Sequence, residues 1–283
     1  MLKITILTIC VMIAFAGNSI LCRLALSDQT IDAASFTTLR ILSGALVLWL
    51  LSSRNRSPRI VSGDWFSATA LFVYAASFSF AYLGLQTGLG ALLLFCSVQV
   101  TMIVYGLLNG ECFTKRQLFY FVLAISGLFG LLLPGMTAPP LNFALLMIIS
   151  GVAWGTYSLR GRVTSLPLQS TAGNFARASV LAMIFSVLTV SDLAVDLEGI
   201  VYAMLSGGIA SGIGYTVWYG VLPYLKATTA GIVQLSVPVI AAVGGYILLD
   251  EMITMRMIIS SLMILGGILG VLSTKHQRLN RTT

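Results

Sequence analysis

The chain has 283 residues, of which 58% are hydrophobic and 9% charged, with a mean hydropathy of +0.97 and a net charge of +7. A water-soluble domain carries roughly 25% charged residues because its surface must be solvated, so most of this surface faces something other than water. The Lys and Arg residues stand singly or in short connections, without a basic face or stacking motif, which argues against a nucleic-acid module.

Apolar stretches long enough to cross about 30 Å of hydrocarbon fall near residues 4–26, 33–52, 65–85, 88–109, 116–134, 141–159, 169–190, 199–222, 227–249 and 255–273. The first follows Lys3 but lacks a small-residue cleavage pattern, so it reads as a retained helix. Arg23, one turn from its far end, is expected to snorkel to the interface. The connections are short, which puts function in the bundle or at its mouths. Pro238, in the ninth stretch, removes a backbone hydrogen bond and should kink that helix.

Cys10 and Cys22 share the first helix, about 18 Å apart along its axis and too far to bridge. With no Cys-x-x-Cys and a single histidine, His276, in the C-terminal tail, neither a metal site nor a cofactor is expected.

Orientation follows from the excess of Lys and Arg on cytoplasmic connections. With the N-terminus inside, that side holds Lys3, Arg54, Arg56, Arg59, Lys115, Arg116, Arg160, Arg162, Lys226, Lys275, Arg278 and Arg281. The other side holds Arg256 beside Asp28, Asp32, Asp192, Asp196, Glu198, Asp250 and Glu251. An odd number of spans would scramble this partition. The pattern therefore predicts ten spans in a bacterial cytoplasmic membrane with both termini cytoplasmic.

A repeat underlies the ten. At an offset of 140, Glu111 meets Glu251, Arg116 meets Arg256, Gly127 meets Gly267, Gly130 meets Gly270 and Phe78 meets Trp218. Ala16-Gly17 meets Trp154-Gly155 and Arg40 meets Arg177 at a slightly shorter offset. Five spans per half force the second half to enter from the opposite side. The expected fold is thus an all-α membrane protein of ten transmembrane helices in two inverted five-helix repeats, 1–136 and 137–283, with a solute site between them.

The chain resembles the EamA-like branch of the drug/metabolite transporter superfamily. The resemblance rests on this layout, on Phe36-Thr37-Thr38-Leu39-Arg40, on Ala81-Tyr82-Leu83-Gly84-Leu85, on Glu111 with Asp250-Glu251, and on Trp154-Gly155. It departs from the family at Ala16, where a Trp often precedes the glycine, and at the Val237-Pro238 doublet. The resemblance implies a solute carrier, often an exporter of metabolites or amino acids. Its partners would be a small-molecule solute and the lipid bilayer, with a second copy of the chain as a further option.

No Asp, Glu, Lys or His falls in the middle of a stretch. A charge in hydrocarbon is costly and is kept for function, so antiport of organic cations through a membrane carboxylate is not expected. Arg40 and Arg177 do enter the apolar regions, at matching places in the repeat. Either holds a substrate carboxylate or phosphate bidentately, or satisfies backbone carbonyls between packed helices. Tyr74, Phe78 and Tyr82 share one helical face, as do Tyr215 and Trp218. Asn18, Gln99, Trp154, Tyr157 and Gln234 add polar groups at similar depth. The candidate substrate-binding set is Asn18, Arg40, Tyr74, Phe78, Gln99, Trp154, Tyr157, Arg177, Tyr215, Trp218 and Gln234, because small-solute pockets are mostly apolar with a few placed polar groups. Tyr and Trp also serve interface belts, and buried amides also join helices.

An enzyme is the main competing class, but no paired carboxylates or activated nucleophile share a depth. A receptor or assembly subunit leaves the repeat unexplained. Among carrier substrates, amino acids and related zwitterions or anions fit the arginines, and drugs or toxic apolar metabolites fit the aromatic set.

Overall fold

Apolar runs broken by short polar connections become a helical bundle in the computed structural model. It describes residues 2–54, 62–110, 114–133, 138–161, 166–189, 195–221, 224 and 233–279, with the backbone alone at 54, 219 and 272–279. Glu111, Cys112, Arg56, Arg59, Arg162, Asp192, Lys226 and Arg281 lie outside the described residues.

The helices are α1 (Leu2–Ser27), α2 (Ala33–Arg54), α3 (Trp65–Ala81), α4 (Thr87–Leu108), α5 (Lys115–Leu132), α6 (Leu141–Gly161), α7 (Pro167–Thr189) and α8 (Leu197–Met204). A π-helix (Leu205–Ile213) joins α8 to α9 (Gly214–Val221), and α10 (Ser236–Leu249) and α11 (Met255–Leu279) follow. Among the described residues the only other pairing is an isolated antiparallel bridge between Ile31 and Val195. Seven segments are long and apolar enough to cross a membrane: α1, α2, α4, α5, α6, α7 and Leu197–Trp218. Three shorter apolar helices, Trp65–Ala81, Ser236–Leu249 and Met255–Val271, lie among them. Large apolar side chains such as Phe129, Val187, Ile247 and Leu262 point outward, as they must where the surrounding solvent is lipid.

Local chemistry sets the helix ends. Asp64 caps α3 by accepting from Ser67 N, and Thr114 with Gln117 forms a capping box on α5. The helix ahead of α10 is interrupted at Leu235. Pro238 lies four residues beyond Gln234 and has no N–H to give its carbonyl, so the expected kink falls at the start of α10 rather than in its middle.

Helices α3 and α4 pack on α6, α2 packs on α7 and the π-helix, α1 packs on α10 and on the α8–α9 unit, and α5 packs on α11. Small residues permit these approaches. A Cβ on Gly151 would press on Ser97 and the Leu94 carbonyl, and one on Gly267 on the Tyr120 carbonyl.

Candidate functional site

The Tyr74 hydroxyl is a meeting point of four elements. Arg40 Nη2 on α2 donates to it at 2.8 Å, Tyr215 Oη on α9 donates at 3.3 Å, and Asn18 Nδ2 on α1 at 3.4 Å. Asn18 is fixed in turn, because Ser206 Oγ of the π-helix donates to its Oδ1 at 2.6 Å. The Arg40 guanidinium also lies over the Tyr74 and Phe78 rings, 5.1 and 4.8 Å from their centroids. Phe78 follows Tyr74 by one helical turn, so one face of α3 supplies both the hydrogen bond and the rings.

Aromatic rings close the site. Trp154 packs on Tyr74 (4.9 Å between centroids) and on Tyr215 (4.7 Å). Phe15 meets Trp154, Tyr215 and Trp218 edge-on at 6.5, 5.8 and 6.0 Å. The cavity they leave, lined by Phe15, Asn18, Tyr74, Trp154, Ala210 and Tyr215 among others, measures about 20 Å³. That is room for roughly one water. Arg40 stands behind the Tyr74 and Phe78 wall with 2% of its surface exposed, and its Nη1 has no hydrogen-bond partner. Gln99 Nε2 is likewise buried without a partner.

The ion pairs among the described residues stand at the two ends of the bundle. At one end Arg23 Nε meets Glu251 Oε1 at 3.3 Å, and Arg23 Nη1 donates to the Tyr82 carbonyl at 2.8 Å. Thr87 N, at the start of α4, donates to Glu251 Oε2 at 2.7 Å. Arg23 is thus held by a carboxylate and a carbonyl at this end of the bundle, with 20% of its side chain exposed. Asp250 turns the chain to allow this. It adopts φ +51°, a left-handed conformation that Asp tolerates, and Glu251 N then closes on the Gly245 carbonyl.

At the other end a polar recess of about 260 Å³ is lined by Ser62, Gly63, Asp64, Ser67, Tyr157, Arg160, Gly161, Ser170, Thr171 and Asn174. Arg160 Nη2 lies 3.3 Å from Asp64 Oδ2, and Arg160 Nε donates to Ser67 Oγ at 3.0 Å. Burial works to raise the Asp64 carboxyl, but hydrogen bonds from Ser67 N and Oγ and the Arg160 guanidinium hold it below the usual carboxylate value. Gly63, at φ +93°, tucks this loop against α7, where a Cβ would strike Asn174 and the Ser170 carbonyl.

Of the sequence candidates, Asn18, Arg40, Tyr74, Phe78, Trp154, Tyr215 and Trp218 are brought together. Tyr157 joins them through Trp154, 5.7 Å between centroids, while lining the recess. Arg177 is set apart and donates to the carbonyls of Ser62 and Gly173 at 3.2 and 3.0 Å. Gln99 and Gln234 are buried on α4 and just before α10. Sequence reasoning misses Phe15 and Ser206. Phe15 sits one turn before Asn18, a spacing that is enough to find it. Ser206 reaches Asn18 because the chain widens into a π-helix over a Gly/Ser-rich run, where α-helix propensity is weak. Gly207 then rests on the Arg40 carbonyl with no space for a Cβ.

A model of the EamA-like transporter family matches residues 141–273. An uncharacterized protein of Pseudomonas aeruginosa is 51% identical over 98% of this chain and 96% of its own length. An uncharacterized transporter of Archaeoglobus fulgidus is 22% identical over 94% of this chain and 96% of its own. The uncharacterized transporter YoaV of Bacillus subtilis is 22% identical over 82% of this chain and 85% of its own. A crystal structure with 18% identity shares the fold at a TM-score of 0.64, covering 95% of this chain and 98% of that one.

Proposed function

Because the chain belongs to the EamA-like transporter family and is a multi-pass membrane transporter, we propose that it exports small carboxylate-bearing metabolites, amino acids and related zwitterions or anions, across a bacterial cytoplasmic membrane by alternating access. The observation that carries this reading is Arg40. A guanidinium in a membrane bundle costs several kcal/mol unless compensated. Here it has one hydroxyl, two ring faces and a spare Nη1. A substrate carboxylate entering between Tyr74, Phe78 and Tyr215 would supply the missing counter-charge.

In this reading Asn18, Arg40, Tyr74, Phe78, Trp154, Tyr157, Tyr215 and Trp218 contact or frame the solute, and Gln99 Nε2 is a further donor at the same depth. Ten helices would cross the membrane as two inverted repeats, 1–136 and 137–283. The packing supports this. α6 packs on α3 and α4 as α1 packs on α8–α9 and α10, and α3 meets α7 as α2 meets the π-helix. Tyr74 and Tyr215, from the third segment of each half, share one hydrogen bond. The Asp64–Arg160 end would face the cytoplasm, and both termini with it. The small central cavity, with a recess toward one end and the Arg23–Glu251 contact at the other, fits a carrier occluded from the outside.

The aromatic lining favours a second reading, efflux of drugs or toxic apolar metabolites. A thermal-shift screen of detergent-purified protein against amino acids, organic acids, nucleosides and lipophilic dyes separates the two, because a ligand stabilises the state it binds. Stabilisation by carboxylate-bearing solutes supports the first reading. Stabilisation by dyes alone overturns it.

A further inference from the structure

We propose that the recess at the Asp64–Arg160 end is a second solute site, a staging site that receives the ammonium and carboxylate of a zwitterion before it passes Tyr157 and Trp154. The inference rests on the carrier reading above and adds a place where the solute waits. The recess, at about 260 Å³, is the larger space, and the central cavity of about 20 Å³ holds no solute as it stands. Pockets for small ligands begin near roughly 300 Å³, so the recess is of the right order for one amino acid.

Its chemistry is bipolar. Asp64 and Arg160 present opposite charges 3.3 Å apart, each about half exposed, at 45% and 49%. An ion pair so exposed holds itself together weakly and can be opened by a ligand at little cost. A solute carrying both signs replaces the pair with two new ones: its ammonium on Asp64 and its carboxylate on the Arg160 fork. The walls are hydroxyls and an amide, Ser62, Ser170, Thr171 and Asn174, which suit a polar headgroup. A purely apolar solute gains nothing from them.

The recess also points somewhere. Its floor includes Tyr157, whose ring meets Trp154, and Trp154 lines the central cavity beside Tyr74 and Tyr215. The two aromatic side chains therefore lie between the two spaces. One end of the solute path is a charged pair, the other is Arg40, and the aromatic pair separates them.

The test uses everted and right-side-out membrane vesicles expressing the whole chain. Expression-dependent flux is measured for whichever of the twenty radiolabelled L-amino acids moves fastest. Asp64→Asn keeps the α3 cap and removes the charge, Arg160→Gln removes the other charge, and Arg160→Lys restores it. The expected result is a KM raised about tenfold for entry from one face, the loss of one charge-assisted contact, with the KM at the other face unchanged and Arg160→Lys in between. The kcat from the first face then rises relative to kcat from the other in the same ratio, as detailed balance requires. An equal change at both faces, or none, overturns the staging site while leaving the carrier reading in place. Wild-type vesicles that carry no amino acid at either face would overturn the amino-acid reading of the carrier, and the staging site with it.

Discussion

The Arg40 guanidinium donates to the Tyr74 hydroxyl at 2.8 Å and lies over the same ring, 5.1 Å from its centroid. One tyrosine thus supplies both the acceptor and the π-face that make a buried cation tolerable. Tyr74→Phe keeps the ring and deletes the acceptor for Arg40, Asn18 and Tyr215 at once. Leaving the charge with rings alone should cost about 3 kcal/mol, seen as a lower Tm in detergent, together with at least tenfold weaker solute binding. A variant with wild-type Tm would mean that the hydrogen bond contributes little.

Trp154 touches Tyr74, Tyr157, Tyr215 and Phe15. Trp154→Ala should destabilise the bundle by about 3–5 kcal/mol and join the recess to the central cavity. Trp154→Phe should retain most of the stability. Comparing the two Tm values checks this ordering.

Gly207 has no room for a side chain against the Arg40 carbonyl and Ser43, whereas a Cβ on Gly266 meets nothing. Gly207→Ala should therefore lower the Tm. Gly266→Ala, in a helix interior, should be neutral or stabilise by about 0.5–1 kcal/mol. The pair tests whether the π-helix is seated on α2 as described.

Asp64 gives the stability of this end a pH dependence of known sign. Its carboxyl is held below the usual value. A depressed carboxylate stabilises fully above its unfolded pKa of about 3.9, and that contribution is lost as pH falls through the lowered folded value. Because Asp64 is 45% exposed, solvent screening keeps the effect small. Asp64→Asn should flatten the acid limb of the Tm–pH curve below about pH 4 and leave the Tm at neutral pH nearly unchanged.

Glu251 ties α10 to α1 and α4 through Arg23 Nε and Thr87 N. Glu251→Gln should loosen that end. In a cysteine-free background, Ser19→Cys, which lines the central cavity, should then react faster with a membrane-impermeant thiol reagent added outside. An unchanged rate would mean that this contact does not guard the path.

Helical spacing within single helices makes the apolar stretches, the shared face of Tyr74 and Phe78, and the depth of Trp154 and Tyr215 legible in the amino-acid sequence. What the sequence hides depends on how helices are rotated against one another. In a membrane bundle the buried and lipid faces are both apolar, so periodicity does not say which way Phe15 or Arg177 turns. Arg40 and Arg177 match in the proposed repeat, yet one meets Tyr74 and the other meets loop and helix carbonyls. The inward fold of Glu251 is hidden for a similar reason. Its position in a turn suggests a solvated carboxylate, and the left-handed Asp250 that turns it inward leaves no sequence pattern.

The central claim is that Arg40 gives this carrier its preference for carboxylate-bearing solutes. Flux of radiolabelled amino acids into proteoliposomes, measured for wild type, Arg40→Lys and Arg40→Gln at matched folded protein, tests it most directly. The account predicts saturable flux for wild type, a reduced but saturable flux for Arg40→Lys, and at least a tenfold fall in kcat/KM for a folded Arg40→Gln. Folded Arg40→Gln protein that transports as well as wild type would contradict it.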